Sequence, residues 1–208
     1  MKVIVDLRNQ LPPVRDQGDR PTCLAFAISS GHSYQHGLRS WLSPEYISYF
    51  ARKKIFTSDI EGLSIESISS TLSSIGQPYE EQCPYMERPA RFLKKIEGTF
   101  KCMSVIARPD FENIWDYINN NNVAVACTGV TRMFFSPKEN IYIDDVGEDI
   151  QGHHAVLLIG TAIKSNCRYL FIMNSWGGQW AKRGCAWITE SFFNKYASAI
   201  LKFEDVIE

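Results

Sequence analysis

The periodicity of the sequence changes once, near Asn122, and that change limits the folds open to the chain. Before it, apolar residues recur at helical spacing. Cys23 to His36 reads as one helix stopped by Gly37. Ser43-Pro44-Glu45 supplies a cap, a first-turn proline and an acidic first turn for a second. A third starts near Ser64, with Ile65, Ile68, Leu72 and Ile75 on one face and Gly76 after it. Asp110 caps a fourth, which buries Phe111, Ile114, Trp115 and Ile118. After Asn122 come "VAVACTGV", "HAVLLIGTAI", "RYLFIMNSW", "CAWIT" and "ASAILKF", β-rich runs parted by polar or glycine-containing breaks. Val3 to Asp6 adds a short N-terminal strand. Helices followed by strands predict an α+β chain. Its 208 residues suit one domain of two lobes sharing a cleft, the helical lobe over roughly 15–105 and the β lobe over roughly 106–208 plus the N-terminal strand.

Composition excludes several kinds of partner. A net charge of −1, with lysines and arginines scattered, gives no electrostatic reason to expect nucleic acid or an anionic membrane. "RKK" at 52–54 reads as a solvated helix end. No run reaches the roughly 18 apolar residues that span a bilayer. The opening "MKVIVDLRNQLPP" is broken by Asp6 and Arg8, too early for a secretory signal, so a cytoplasmic location is expected. The six cysteines (23, 83, 102, 127, 167 and 185) show no metal-ligand rhythm. Five read as free, mostly buried thiols of a reducing compartment.

Cys23 differs from these five. It ends a Gly/Pro-broken loop and opens an apolar helix, where unpaired N–H groups stabilise a thiolate. A buried bystander thiol is the plainer alternative. A nucleophile would need a base, a group to orient that base, and oxyanion donors. Of four histidines, His32 and His36 lie on the Cys23 helix itself at i,i+4 spacing, without a third metal ligand. His153 and His154 open an apolar strand, where adjacent side chains face opposite ways, so at most one enters a cleft. Asn174, at the end of the next strand, could accept from an imidazole N–H.

These residues carry a resemblance. "PVRDQG" followed by "TCLAFA", then "HAVLLIG" and "NSWGGQW", in that order, resemble the glutamine loop, nucleophile helix, histidine strand and asparagine segment of the papain-like cysteine peptidases. "LSPEYISYF" and "QPYEEQCPYM" fall where that family has its second helix and a Tyr-Pro-Tyr-type segment. Cys23 precedes His154 by 131 residues and Asn174 by 151, near the family's roughly 130–150. The resemblance implies a two-lobed fold, a helical lobe beside an antiparallel β-barrel-like lobe. It implies Cys23 as nucleophile, His154 as its partner, Asn174 as orienter and Gln17 as oxyanion donor, resting as thiolate and imidazolium. His153 stays open as the alternative base, since a one-residue slip inverts the strand face. Trp176 would shield the His–Asn bond and border the substrate, with Trp180 as a second aromatic support or simple core.

The resemblance also implies a substrate-binding edge at Gly62, Leu63, Ser64, Ile65 and Ala155, with Glu61 and Gly62 in place of a glycine pair. That pocket would take the second residue before the scissile bond and suits an apolar side chain there. Arg20 replaces the family's first motif cysteine, normally half of a disulfide, and Leu24 replaces the tryptophan after the nucleophile. The implied activity is endopeptidase hydrolysis through a thioester, with no metal or organic cofactor. The partners expected are an extended peptide or protein substrate and an inhibitor or regulatory protein, with no nucleic acid and no membrane. Two rivals keep the same residues: acyl transfer to another acceptor (transpeptidase or deamidase chemistry), and a catalytically silent binding module.

Overall fold

A computed structural model describes residues 1–54, 62–135, 142–144 and 147–207. In chain order these form β1 (Lys2–Asp6), α1 (Cys23–Gln35), α2 (Pro44–Arg52), α3 (Ile65–Ser74), β2 (Lys101–Ala107), α4 (Phe111–Asn119), β3 (Ala124–Val130), α5 (Arg132–Phe135), β4 (Tyr142–Ile143), β5 (Gly152–Lys164), β6 (Cys167–Met173), β7 (Cys185–Thr189), α6 (Glu190–Tyr196) and β8 (Ala197–Ile207). Local chemistry sets several boundaries. The Ser43, Ser64 and Asp110 side chains accept from the backbone N–H three residues on, closing the starts of α2, α3 and α4.

The strands make one sheet in the order β2-β8-β3-β5-β6-β7-β4, with β1 paired to the far end of β5. Every pairing is antiparallel except β4 with β7. The α+β fold is as expected, but among the described residues the sheet does not close. The β-barrel-like lobe is therefore an open, layered sheet. Helices cover both of its faces. Val125, Ala155 and Leu157 point to one side, into a core with Leu24 and Ile28 of α1, Ile47 of α2 and Ile68 and Leu72 of α3. Their neighbours Ala124, Ala126, Val156 and Leu158 point to the other, against Ile114 and Trp115 of α4 and Phe192 and Phe193 of α6. Burial on both faces is why β5 reads as a continuous apolar run rather than an alternating one.

β2 falls inside the stretch read as helical. Its pairing partner β8 lies nearly a hundred residues later, and Met103, Val105 and Ile106 are exposed, so no local pattern announces a strand.

α1 is the central helix, and Gly31 fixes how closely it lies on the sheet. A Cβ there would come within 2.4 Å of the Phe203 ring and 2.9 Å of Leu157. Toward its C-terminus, His32 is fully buried with Nδ1 2.9 Å from Gln77 Oε1. The Gln77 amide nitrogen donates to Ser29 Oγ at 2.6 Å and Ser43 O at 2.8 Å, so Oε1 is the atom facing His32. His32 therefore carries its proton on Nδ1, and Nε2 accepts from His36 Nε2 at 3.1 Å. His36 Nε2 also lies 3.1 Å from the Lys101 carbonyl. The i,i+4 histidine pair is thus a packed hydrogen-bonded chain tying α1 to Gln77 and β2.

Burial lowers the His32 pKa to about 3, the Gln77 bond acting the other way and the His36 charge adding to the depression. A base with a depressed folded pKa contributes stability fully above its unfolded value and loses it as pH falls. Unfolding free energy should drop by about 1.4 kcal/mol per pH unit from this group below roughly 6.5, about 2 kcal/mol by pH 5. Urea melts at pH 7 and pH 5 measure this, and His32→Gln should flatten the slope.

Candidate active site

The site forms where the start of α1 meets the start of β5 and the end of β6. Cys23 is the first residue of α1, following Thr22 at the cap position. Burial pushes its thiol above the ordinary 9.0, opposed by backbone hydrogen bonds from Ala155, Leu24 and Cys23 itself. The sulfur thus sits on the helix start and against the backbone of the residue that follows His154.

His154 and His153 diverge as adjacent strand residues must. His154 is 7% exposed, while His153 faces solvent. His154 Nε2 lies 2.6 Å from Asn174 Oδ1. That oxygen also accepts from the Ser175 backbone N–H at 2.7 Å, which fixes the amide orientation. An amide oxygen only accepts, so the imidazole proton is on Nε2 and Nδ1 is left with a free lone pair. Burial lowers His154 to about 4, with the Asn174 hydrogen bond acting in the opposite direction. Among the described residues, Asn174 Nδ2 is buried without a hydrogen-bond partner.

Gln17 is held from several directions. Its backbone N–H donates to Ser175 O at 2.8 Å, and its Oε1 accepts from Ser175 Oγ at 2.6 Å. One of its two amide N–H groups donates to the Arg20 carbonyl at 2.8 Å, leaving the second available. The Tyr85 hydroxyl donates to Gln17 O at 2.9 Å and lies 2.7 Å from Thr22 Oγ1. Gly18, at φ +60°, makes the turn, its N–H donating to Asp16 Oδ1 at 2.9 Å.

Arg20 pairs with Glu45 of α2 at 2.5 Å, the side chains 8% and 0% exposed. It also donates to the Met86 carbonyl at 2.6 Å and stacks on Tyr85 at 4.7 Å. The second Glu45 oxygen accepts from the Ala90 N–H at 2.8 Å. An ion pair thus anchors the loop that, by the resemblance, a disulfide would hold.

Aromatic rings wall the imidazole. Trp176 lies 4.5 Å from the His154 ring and Phe134 5.8 Å. Trp180 is 7% exposed, meets Trp176 edge-on at 5.9 Å and donates its indole N–H to the Phe134 carbonyl at 3.0 Å. It is both core and support. Of the anticipated substrate edge, Gly62 and Leu63 are half-buried, and Ser64 is exposed with its hydroxyl committed to capping α3. Ile65 and Ala155 are buried in the core. Glu61 lies outside the described residues. Leu63, Cys23 and Cys127 pack against the main core cluster, of which Ala155 is a member, and the sequence had placed Cys127 only among the free thiols. Cys127 is directly opposite Ala155 in β3–β5, and its thiol is pushed up to about 11 by burial and then by the neighbouring Cys23 and Glu66 charges. Phe134 and Phe135 were also passed over, since "RMFF" makes a single short turn with no period to detect.

These features bring Cys23, Gln17, His154 and Asn174 to the junction of a helix start and a sheet. Residues 3–200 match the family model for papain family cysteine proteases, and the chain belongs to that family. It is 26% identical over 183 residues to a cysteine proteinase of Theileria annulata, an alignment covering 83% of this chain and 39% of that protein. It is 30% identical over 108 residues to cathepsin B-like cysteine proteinase 1 of Haemonchus contortus, covering 51% and 30%. The chain thus spans well under half the length of these curated relatives. Among solved structures, xylellain, a cysteine protease from Xylella fastidiosa, superposes with a TM-score of 0.76 at 21% identity, covering 98% of this chain and 86% of that one. Digestive procathepsin L2 from the larval midgut of Tenebrio molitor gives 0.81 at 19%, covering 96% and 67%. Among the described residues, no helix is long and apolar enough to cross a membrane.

Proposed function

We propose that the chain hydrolyses peptide bonds in extended polypeptide segments through a thioester formed on Cys23. His154 takes the thiol proton, hands it to the leaving amine and then draws a proton from water for deacylation. Asn174 holds the ring, and the free N–H of Gln17 with the Cys23 amide stabilises the oxyanion. The observation that carries this reading is the 2.6 Å bond from His154 to Asn174, which leaves Nδ1 as acceptor one residue from the backbone that touches the thiol. Gly62, Leu63, Ala155 and Cys127 would border the acyl side of the substrate. Six free cysteines fit a reducing, cytoplasmic setting, where narrow specificity or a regulatory protein would limit damage to the host.

Hydrolysis of a peptide library, read by mass spectrometry, tests the reading. Cys23→Ala should abolish cleavage, and Gln17→Ala should lower kcat about 100-fold with little change in KM. Cleavage that survives Cys23→Ala would refute the proposal. Products dominated by added amines rather than water would identify acyl transfer instead.

A further inference from the structure

We propose that Cys127 is a resolving thiol for Cys23, capturing the peroxide-oxidised nucleophile as a reversible Cys23–Cys127 disulfide that closes the site and spares it from irreversible oxidation. The proposal goes beyond the peptidase reading and rests on it only in taking Cys23 as the thiol from which His154 draws a proton. Of the six cysteines, Cys83, Cys102 and Cys185 are buried, and Cys167 is exposed at the start of β6. Cys23 and Cys127 are the two that are half-buried. Ala155 links them. Its backbone N–H bonds to the Cys23 sulfur, and its partner across the β3–β5 ladder is Cys127. Residues directly opposite in an antiparallel pair project to the same face, with Cβ atoms about 4.5–5.5 Å apart. That face is the α1 side of the sheet: Val125 and Ala155 lie in the core with Leu24 and Ile28, and both Cys23 and Cys127 pack against it.

Hydrolysis needs no second sulfur at this place, whereas recovery from oxidation does. Cys23, at the helix start and within the reach of an imidazole, is the thiol that a peroxide attacks. Hydrogen peroxide gives one oxygen to the Cys23 sulfur: the O–O bond breaks, an S–O bond forms, water leaves and Cys23 becomes a sulfenic acid. Burial, then the nearby Cys23 and Glu66 charges, push the Cys127 thiol up to about 11. Cys127 therefore stays protonated at neutral pH and escapes direct oxidation. Its sulfur then attacks that of Cys23. An S–S bond forms, the S–O bond breaks, and the departing hydroxide takes the Cys127 proton as water. The two thiols have lost two electrons and the peroxide has accepted them. A dithiol reverses the step by exchange. Without Cys127, the sulfenic acid meets a second peroxide and becomes a sulfinic acid, which a dithiol does not reduce.

Titration with hydrogen peroxide at neutral pH, followed by alkylation of the remaining thiols and digestion without reductant, tests the inference by mass spectrometry. The native protein should yield a peptide pair joining Cys23 to Cys127, lighter than the two thiol peptides by two hydrogens. Dithiothreitol should then return most of the iodoacetamide-reactive Cys23 and, in step with it, most of the peptide cleavage. In Cys127→Val the same peroxide should leave Cys23 as the sulfinic acid, with recovery on dithiothreitol about fivefold lower. Each protein is scored against its own untreated value, because Cys127 borders the acyl side of the cleft. Cys127→Ser, nearly isosteric, should behave as Cys127→Val does, and melting curves of both variants check that they fold. A native sample whose Cys23 is oxidised without forming the Cys23–Cys127 pair overturns the inference. Equal recovery in native and variant proteins does so too, as does Cys23 joined mainly to another cysteine. The thiol readout needs no substrate, so the two readings fail separately. A protein that forms the pair but cleaves nothing sinks the peptidase reading and supports the disulfide. Cleavage that persists with Cys23 untouched by peroxide does the reverse.

Discussion

Iodoacetamide should alkylate Cys23 readily below pH 7 in the native protein, and only above about pH 9 in His154→Ala. Two effects oppose each other at this thiol. Burial disfavours its charged form and lifts its pKa above 9.0, and burial also holds His154 neutral, near 4. Each group considered alone is therefore uncharged at pH 7. Proton transfer from sulfur to Nδ1 creates both charges together, and their attraction is about 4 kcal/mol at 4 Å in a medium of effective dielectric 20. The start of α1 adds up to about 2 kcal/mol for the thiolate. These terms offset most of the roughly 7 kcal/mol that the transfer costs, so a thiolate fraction persists below pH 7, and the acidic limb of the labelling profile reports it. Removing the imidazole leaves only the buried thiol, whose reactivity then waits for alkaline pH. Mass-spectrometric localisation at each pH gives the profile for Cys23 separately from the other five cysteines. A native profile that rises only near pH 9 and ignores the substitution would leave a papain-shaped binding protein.

Breaking the Arg20–Glu45 pair should cost the fold about 3–5 kcal/mol, whichever partner is removed. Glu45→Ala strands a guanidinium that is 8% exposed, and Arg20→Ala strands a carboxylate that is fully buried. Both charges lie beside the site. Arg20 supplies the carbonyl that holds the Gln17 amide at 2.8 Å, and Glu45 binds the Ala90 N–H at 2.8 Å. Each variant should therefore lose thermal stability and oxyanion stabilisation together. The double variant Arg20→Met/Glu45→Leu removes both charges and should recover most of the stability. Calorimetry of the three variants measures the effect, and equal losses in the single and double variants would show that the pair contributes through packing rather than charge.

The parts of the fold legible in the sequence were those with local chemistry. The caps at Ser43, Ser64 and Asp110 act within three residues, and the four long helices announced themselves by period. β2 was illegible because its stability comes from β8, and α5 because four residues complete barely one turn. At the site, a motif places Asn174 and His154, but a motif carries no information about what stands across a strand. Cys127 becomes a neighbour of Ala155 only once the β3–β5 register is known. The partner of the loop residue Arg20 lies 25 residues away on α2, and nothing in the sequence pattern linked the two.

The contact between Ser175 Oγ and Gln17 Oε1 joins residues 158 apart in the chain. During synthesis Cys23 emerges long before the residues that would activate it. At about 5–20 residues per second, the stretch up to Asn174 takes roughly 7–30 s to appear. Throughout that interval the nascent chain carries an ordinary thiol with no imidazole to accept its proton. On the proposed reading the chemistry is thus delayed until β5 and β6 have formed, and the order of translation itself keeps the nascent chain inert.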